Sequence, residues 1–320
     1  MDGSFSFGPG LGPGIHDISA EAYHDDPCSV PSLSSTLARL ILNRSPRHAW
    51  TAHPRLNPEF EGKDSKVFDI GRAAHRCVLG KGGDYVAYPE HMLAKNGAAS
   101  TAEAKEWAHE MRVRGMTPLK AAEVDAVHDM ADGIIRRLSA MGIAFPPSRS
   151  ELTAIAEIDG VMCRAMIDHA PADQRLPLWD LKTTTDASPD AVIRTVTAYG
   201  YDIQAAHYLR VWEEATGEKR RFRFIFVEKE APFEVSIVEL LNDPGDEADW
   251  FADAEAKCAE ARRIWGECLR DDQWPGYPNQ IALIGAPAWH RKSWADRETG
   301  LPVTPAALER ARQFQAPLEA

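Results

Sequence analysis

Apolar residues recur at three- and four-residue steps through the first half of the chain and alternate with polar ones through its middle. Leu33, Leu37, Leu40 and Ile41 share one side of a helix predicted to start at a Ser32 or Ser34 cap and to end near Leu42. A serine oxygen there can accept from the free amides of the first turn. Ser45-Pro46 reads as the cap and first position of another short helix. Residues 66–79 form a further helical pattern with Phe68, Ala74, Cys77 and Val78 apolar, His75 within it and Gly80 as its stop. Two more follow at 101–115 and 118–141. Their Trp107, Met111, Val124, Val127, Met130, Ile134, Ile135 and Leu138 read as packing faces rather than cofactor boxes.

The texture changes at Glu151. Residues 151–158 and 161–168 are strand-like runs joined by Asp159-Gly160, a pair suited to a two-residue hairpin turn. A third strand is expected at 176–183, helices at 187–198 and 201–215, strands at 221–228 and 233–240 around Ala231-Pro232, and a long helix at 245–269. The Trp- and Pro-rich stretch 274–294 is expected to wrap the body. Residues 1–27 read as a flexible arm, because Gly8-Pro9-Gly10 and Gly12-Pro13-Gly14 interrupt regular structure, and 296–320 as a tail. The order of elements points to an α/β or α+β fold with one central sheet and helices packed on it. The expected domain spans 28–295: a helical part at 28–145, a sheet core at 146–270 and the wrap at 271–295.

The chain's 320 residues suffice for one large domain or two small ones. Lys and Arg number 36 against 48 Asp and Glu, a net charge of -12, so the surface is not a basic coat for bulk nucleic-acid binding. One segment reverses that balance. Between Arg39 and Arg55 lie Arg39, Arg44, Arg47, Arg55, His48 and His53 and no acid. This is a candidate phosphate-binding face; an ordinary solvated patch would read the same. No apolar run is long enough to span a bilayer, and residues 1–14 lack the basic start and apolar core of a signal peptide, so the expectation is a cytoplasmic protein. The five cysteines are dispersed without a CxxC, which argues against a zinc ribbon or an iron–sulfur cluster and for reduced, buried thiols.

The candidate chemistry lies in residues 164–208. In Asp180-Leu181-Lys182, Asp180 and Lys182 project from one face of a strand while Leu181 turns into the core. A carboxylate beside an ammonium suits a metal-dependent hydrolase: the acid holds Mg²⁺, and the lysine positions or helps deprotonate water, or steadies charge on a phosphate. A plain salt bridge has the same sequence. Continuing the hairpin outward from its turn sets Glu157 opposite Met162, Ile155 opposite Arg164 and Glu151 opposite Asp168. Two facing carboxylates repel unless a cation joins them, which favours a metal site of Asp168 and Asp180 with Glu151 nearby, provided no bulge intervenes. Gln204 and Tyr208 lie one helical turn apart on one face, able to reach a phosphodiester or the attacking water, or simply to pack with the tyrosine partly buried.

His75, Asp168, Asp180-Leu181-Lys182 and Gln204-x-x-x-Tyr208, in this order and spacing, resemble the active site of the PD-(D/E)xK nucleases, in the RecB-like branch. Pro31-Ser32-Leu33-Ser34-Ser35, Ser45-Pro46-Arg47-His48, Gly71-Arg72-Ala73-Ala74-His75, Trp274-Pro275-Gly276-Tyr277 and Pro287-Ala288-Trp289 further resemble RecE-type (exodeoxyribonuclease VIII-like) enzymes of phages and prophages, over residues 15–292. The resemblance implies a restriction-endonuclease-like core with a mixed sheet and an N-terminal helical extension. It implies His75, Asp168 and Asp180 as metal ligands with the Leu181 carbonyl beside them, Lys182 as the catalytic lysine, and Gln204 and Tyr208 around the scissile phosphate. Glu151 matches an acidic position near the hairpin start. It further implies Mg²⁺, replaceable by Mn²⁺, with no nucleotide cofactor, and 5′ to 3′ digestion of one strand from double-stranded DNA ends. A RecT- or Redβ-like annealing protein would receive the remaining strand. A ring of subunits follows from the same likeness, and the charge balance of the chain offers Arg39, Arg44, Arg47 and Arg55 as its basic lining. Two departures stand out: Ala165-Met166-Ile167 lacks the glycine many RecB-like nucleases carry before the acid, and the cysteine cluster of the iron–sulfur relatives is absent. An inactive DNA-binding module on this fold, or a nuclease of repair or spacer processing, are the alternatives.

Overall fold

The computed structural model describes residues 10–61 and 69–292. In chain order its elements are β1 (Gly14–His16), α1 (Ala20–His24), α2 (Ser35–Asn43), α3 (Pro46–Thr51), α4 (Asp69–Leu79), β2 (Tyr85–Ala87), α5 (Ala102–Val113), β3 (Thr117–Leu119) and α6 (Ala121–Ala140). They continue as β4 (Ser150–Ile158), β5 (Val161–His169), β6 (Leu178–Thr184), α7 (Pro189–Tyr199), α8 (Tyr201–Thr216), β7 (Phe222–Glu228), β8 (Val235–Glu239) and α9 (Phe251–Asp271). Six strands form one mixed sheet in the order β1-β4-β5-β6-β7-β8, with β6 and β7 parallel and the other neighbours antiparallel. The fold is α/β, a sheet with helices on both faces.

Strand alternation sorts the side chains between two cores. Leu178, Phe222, Phe224 and Phe226 pack with residues of α2, α8 and α9. Trp179, Leu181, Ile225 and Val227 face α4 and α6. Asp180 and Lys182 therefore point toward α8, while the backbone of Leu181 lies nearer α4. The β4–β5 hairpin turns through Asp159 and Gly160, both at positive φ, and keeps the expected register from Ile158↔Val161 through Ile155↔Arg164.

Several boundaries differ from the sequence expectation. Within the supposed arm, residues 10–27 are structured. β1 adds to the sheet edge at β4, and α1 is capped by the Ser19 hydroxyl, which accepts from the Ala22 amide at 3.1 Å. Backbone pairing and one buried tyrosine, Tyr23, outweigh the local glycines and prolines; residues 1–9 lie outside the described residues. The 118–141 helix splits, because Thr117–Leu119 pairs in parallel with Tyr85–Ala87 and Lys120 starts α6. Residues 66–68 of the predicted 66–79 helix also fall outside the described residues. The wrap is tied down as far as Tyr277: Trp274 meets the Trp265 ring at 5.1 Å, the Arg47 amide donates to the Pro275 carbonyl, and Tyr277 lies 5.5 Å from His48. The described residues divide after Tyr277 into two compact units; residues 293–320, with the expected tail at 296–320, lie outside the described residues. The described part of that second unit, 278–292, is exposed throughout.

Candidate active site

The site sits where β5 and β6 stop pairing. Of the two antiparallel strands only His169↔Trp179 are in register, after which they diverge. On its other side β6 runs parallel to β7 over its full length. The backbone of Leu181 thus faces the fork without a ladder partner, and side chains take its two polar groups. Its amide donates to Asp168 Oδ2 at 2.6 Å, and its carbonyl accepts from His75 Nε2 at 2.9 Å. A carbonyl only accepts, so Nε2 carries the proton, which leaves His75 Nδ1 facing Asp168 Oδ2 at 3.7 Å. The helix α4 brings His75 to this point from one layer.

The other layer supplies Gln204. Its Nε2 donates to Asp180 Oδ1 at 2.6 Å. The second oxygen of Asp180 lies against the Lys182 ammonium in a tight ion pair, outside the direction of a hydrogen bond. Burial pushes the Asp180 carboxyl up to about 6; Lys182 opposes the shift and Asp168 adds to it. Lys182 moves up as well, because the two carboxylates outweigh its own burial, and it therefore stays charged at neutral pH.

Glu151 is also present, but not in the predicted way. Ser150↔His169 and Leu152↔Ile167 pair across the hairpin, while Glu151 between them adopts φ 49 and drops out of the ladder. It does not stand directly opposite Asp168 in a pleated pair. A non-glycine residue in this left-handed region is strained, and such strain concentrates at functional sites. The Glu151 carboxyl remains within range of Asp168: burial raises its pKa, Asp168 adds to the rise, and His75, Lys81 and Arg76 oppose it.

Tyr208 is brought to the neighbourhood but not to the surface. It is buried, 6.0 Å from the Phe222 ring, with Ser35 beside its hydroxyl, and burial holds its pKa well above that of a free phenol. It lies on the helix that carries Gln204, with Asp180 and Asp168 among the charges acting on its hydroxyl. The four arginines separate. Arg55 turns inward and donates to the carbonyls of Asp26 and Cys28 at 3.3 and 2.5 Å, with its ion-pair partner Asp26 fully buried. Arg39 donates to the Tyr199 carbonyl and to Thr36. Arg44 and Arg47 are exposed, and Arg47 also reaches the Trp274 carbonyl. The expected patch of four is thus two exposed cations and two fixed ones.

Sequence reasoning missed Tyr201, whose ring lies 4.9 Å from Lys182 Nζ. The available signal was spacing: Tyr201 is one helical turn before Gln204 and shares its face. It also missed the buried cluster at the N-terminal segment, where Asp26 pairs with Arg164 at 3.2 Å and His53 at 3.0 Å.

Among the described residues, no three His, Cys, Asp or Glu side chains converge as a ready-made ligand set. Asp180 is turned to Gln204 and Lys182, and His75 to Leu181. The donor chemistry nonetheless suits a hard divalent cation: two carboxylates, a carbonyl oxygen and an imidazole at one fork, with Asp180 Oδ2 buried and met, among the described residues, only by the Lys182 ammonium. The raised pKa of Asp180 is what neighbouring carboxylates and burial produce, and positive charge beside it would reverse the shift.

Residues 35–287 match the family described as PDDEXK-like domain of unknown function (DUF3799). The solved structure of a candidate exonuclease from Eubacterium rectale superposes with a TM-score of 0.57 at 13% identity, over 85% of this chain and 97% of that one. That likeness shows the fold. A phage-related exonuclease from Haemophilus somnus 129PT, at 14% identity over 63% of this chain and 95% of that one, reaches a TM-score of only 0.32. No curated protein matches the chain in sequence.

Proposed function

We propose that this chain, which belongs to the PDDEXK-like domain family DUF3799, is a metal-dependent nuclease hydrolysing phosphodiester bonds of DNA. One observation carries the reading: at the β5–β6 fork, Asp168, Asp180 and Lys182 are held at the opening between two central strands by Leu181, His75 and Gln204. A salt bridge made only for stability has no need of a strand pair that opens there, nor of a second carboxylate at the opening.

Asp168, Asp180 and the Leu181 carbonyl would hold Mg²⁺, or Mn²⁺ in its place, with His75 beside them. When bound, the ion would polarise the phosphate and lower the pKa of water. Lys182, charged and oriented by Asp180, donates toward the phosphate oxygens or the attacking water and offsets negative charge as it develops. Its raised pKa favours this electrostatic role over that of a general base. Gln204 holds the Asp180 carboxylate in one orientation. The hydrolysis adds water across the P–O bond: the water oxygen becomes bound to phosphorus and the leaving sugar oxygen gains a proton.

The finer reading is a RecE-type exodeoxyribonuclease. It digests one strand of linear double-stranded DNA from its ends, 5′ to 3′, and leaves single-stranded DNA for a RecT- or Redβ-like annealing protein in recombination. In this reading the enzyme acts as a homo-oligomeric ring in the cytoplasm of a phage- or prophage-bearing cell. The motif resemblance supports it, and a protein of net charge -12 gains from enclosing DNA, since every subunit contributes cations to one duplex. No helix of the described residues is long and apolar enough to cross a membrane. Incubation with linear and covalently closed plasmid in Mg²⁺ tests the reading. Linear DNA consumed and circles spared is the expected result; nicked circles would make it an endonuclease, and both substrates untouched in Mg²⁺ and Mn²⁺ would remove the activity.

A further inference from the structure

Tyr199 is 61% exposed and ends α7, and Tyr201 begins α8. On an uninterrupted helix, residues two apart point away from each other. Here Gly200 separates the two helices in a left-handed conformation, φ 63 and ψ 43. A side chain at that position would also bring its Cβ to 3.0 Å from Arg39 Cδ. The break swings the two tyrosines into a stack, with ring centroids 5.7 Å apart and planes inclined by 21°. Tyr201 stacks in turn on Phe224 of the sheet at 5.7 Å and lies under Lys182 Nζ at 4.9 Å. Arg39 ties the Tyr199 carbonyl in place.

Single exposed aromatics are ordinary. This one differs in being the outer member of an anchored stack whose inner member touches the lysine of the proposed hydrolytic centre. We infer that Tyr199 and Tyr201 form a stacking platform for an unpaired nucleobase beside the scissile phosphate. The inference rests on the nuclease reading and narrows its substrate: the nucleotide being cleaved is taken single-stranded. Aromatic rings hold any base through its π-face, with little regard to sequence, and a base still stacked and paired in a duplex does not offer that face. Arg39, beside the platform, adds positive charge where the strand's backbone passes.

The test uses the full chain and short end-labelled DNA in which one nucleotide at a time, among the three flanking the cleaved bond, is made abasic. Wild-type kcat/KM should fall about tenfold or more when the stacked base is removed, and the loss should be mainly in KM. Tyr199→Ala should cut normal and abasic DNA at similar rates, while Tyr199→Trp keeps the preference. Because Tyr199 is exposed, neither variant should change the melting temperature. If Tyr199→Ala retained the wild-type preference for a base at every position, the platform would be refuted while the nuclease reading stood. If wild-type protein cut no DNA in any metal, the nuclease reading itself would fall and the platform with it.

Discussion

The amide of Leu181 donates to Asp168 Oδ2 across a gap where a backbone carbonyl of β5 would stand if the two strands stayed paired. The chain has exchanged one ladder bond for a carboxylate. That exchange opens the fork, exposes the Leu181 carbonyl to His75, and sets Asp168 and Asp180 on either side of the opening between two central strands.

Lys182 is held charged by Asp180 and Asp168, and the proposed role for it is electrostatic. Lys182→Ala should slow the chemical step about 10²-fold or more in single-turnover assays while DNA affinity stays within a few-fold. A variant that bound DNA poorly but cleaved normally at saturating DNA would assign the lysine to binding.

Gln204 and Tyr208 are separable although they share a helix face. Gln204→Ala removes the donor to Asp180 Oδ1 and should lower activity about 10- to 100-fold without unfolding the protein, the range for residues that orient a ligand. Tyr208→Phe should leave activity near wild type, because the hydroxyl faces Ser35 in the core. Tyr208→Ala should instead destabilise by about 3 kcal/mol in urea unfolding. Loss of activity in a stable Tyr208→Phe would move this residue into the site.

The fold was largely legible because its signals are local and repeated: the Asp159-Gly160 turn set the hairpin register, and α4 and α8 lie where expected, while α9 begins at Phe251, six residues after the expected 245. The site was legible where geometry follows from one element, as for Asp180 and Lys182 two apart on a strand. It was not legible where tertiary contacts decide. Glu151 leaves the pleat by one dihedral angle, which no alternation pattern records. Arg55 looks like Arg44 in sequence, yet a buried carboxylate 29 residues upstream, Asp26, draws it inward. Strand β1 has too few residues for a periodicity signal and exists only because the edge of β4 is there to pair with.

That division among the arginines is measurable. Arg44→Ala with Arg47→Ala should weaken DNA binding and flatten the log–log salt dependence by about 2, one contact each at nearly unit slope. Arg55→Ala should instead lower stability by about 2 kcal/mol, as for a lost hydrogen bond to a charged group, with the salt slope unchanged. An unchanged slope in the double variant would remove the surface pair from the DNA interface.

His207 is buried with Nε2 donating to the Arg164 carbonyl, and burial depresses its pKa to about 4. The unfolded chain, with an ordinary histidine near 6.5, binds the proton first. Stability from this group is therefore full above about 6.5 and is lost as pH falls toward 4, by up to about 3 kcal/mol. The pH dependence of urea unfolding for wild type minus His207→Gln should show this slope between those values. Parallel curves for the two proteins would contradict it.

Asp168 and Asp180, at the β5–β6 fork, are proposed as a metal-dependent hydrolytic centre. The most direct measurement is cleavage of end-labelled linear DNA over a Mg²⁺ titration by wild type, Asp180→Asn and Asp168→Asn, with circular dichroism to verify folding. The expected result is Mg²⁺-dependent cleavage by wild type and a loss of about 10³-fold or more in each folded variant at every Mg²⁺ concentration, as for removal of electrostatic stabilisation from a transition state. Wild-type rates in either variant, or wild-type cleavage that persists in EDTA, would contradict it.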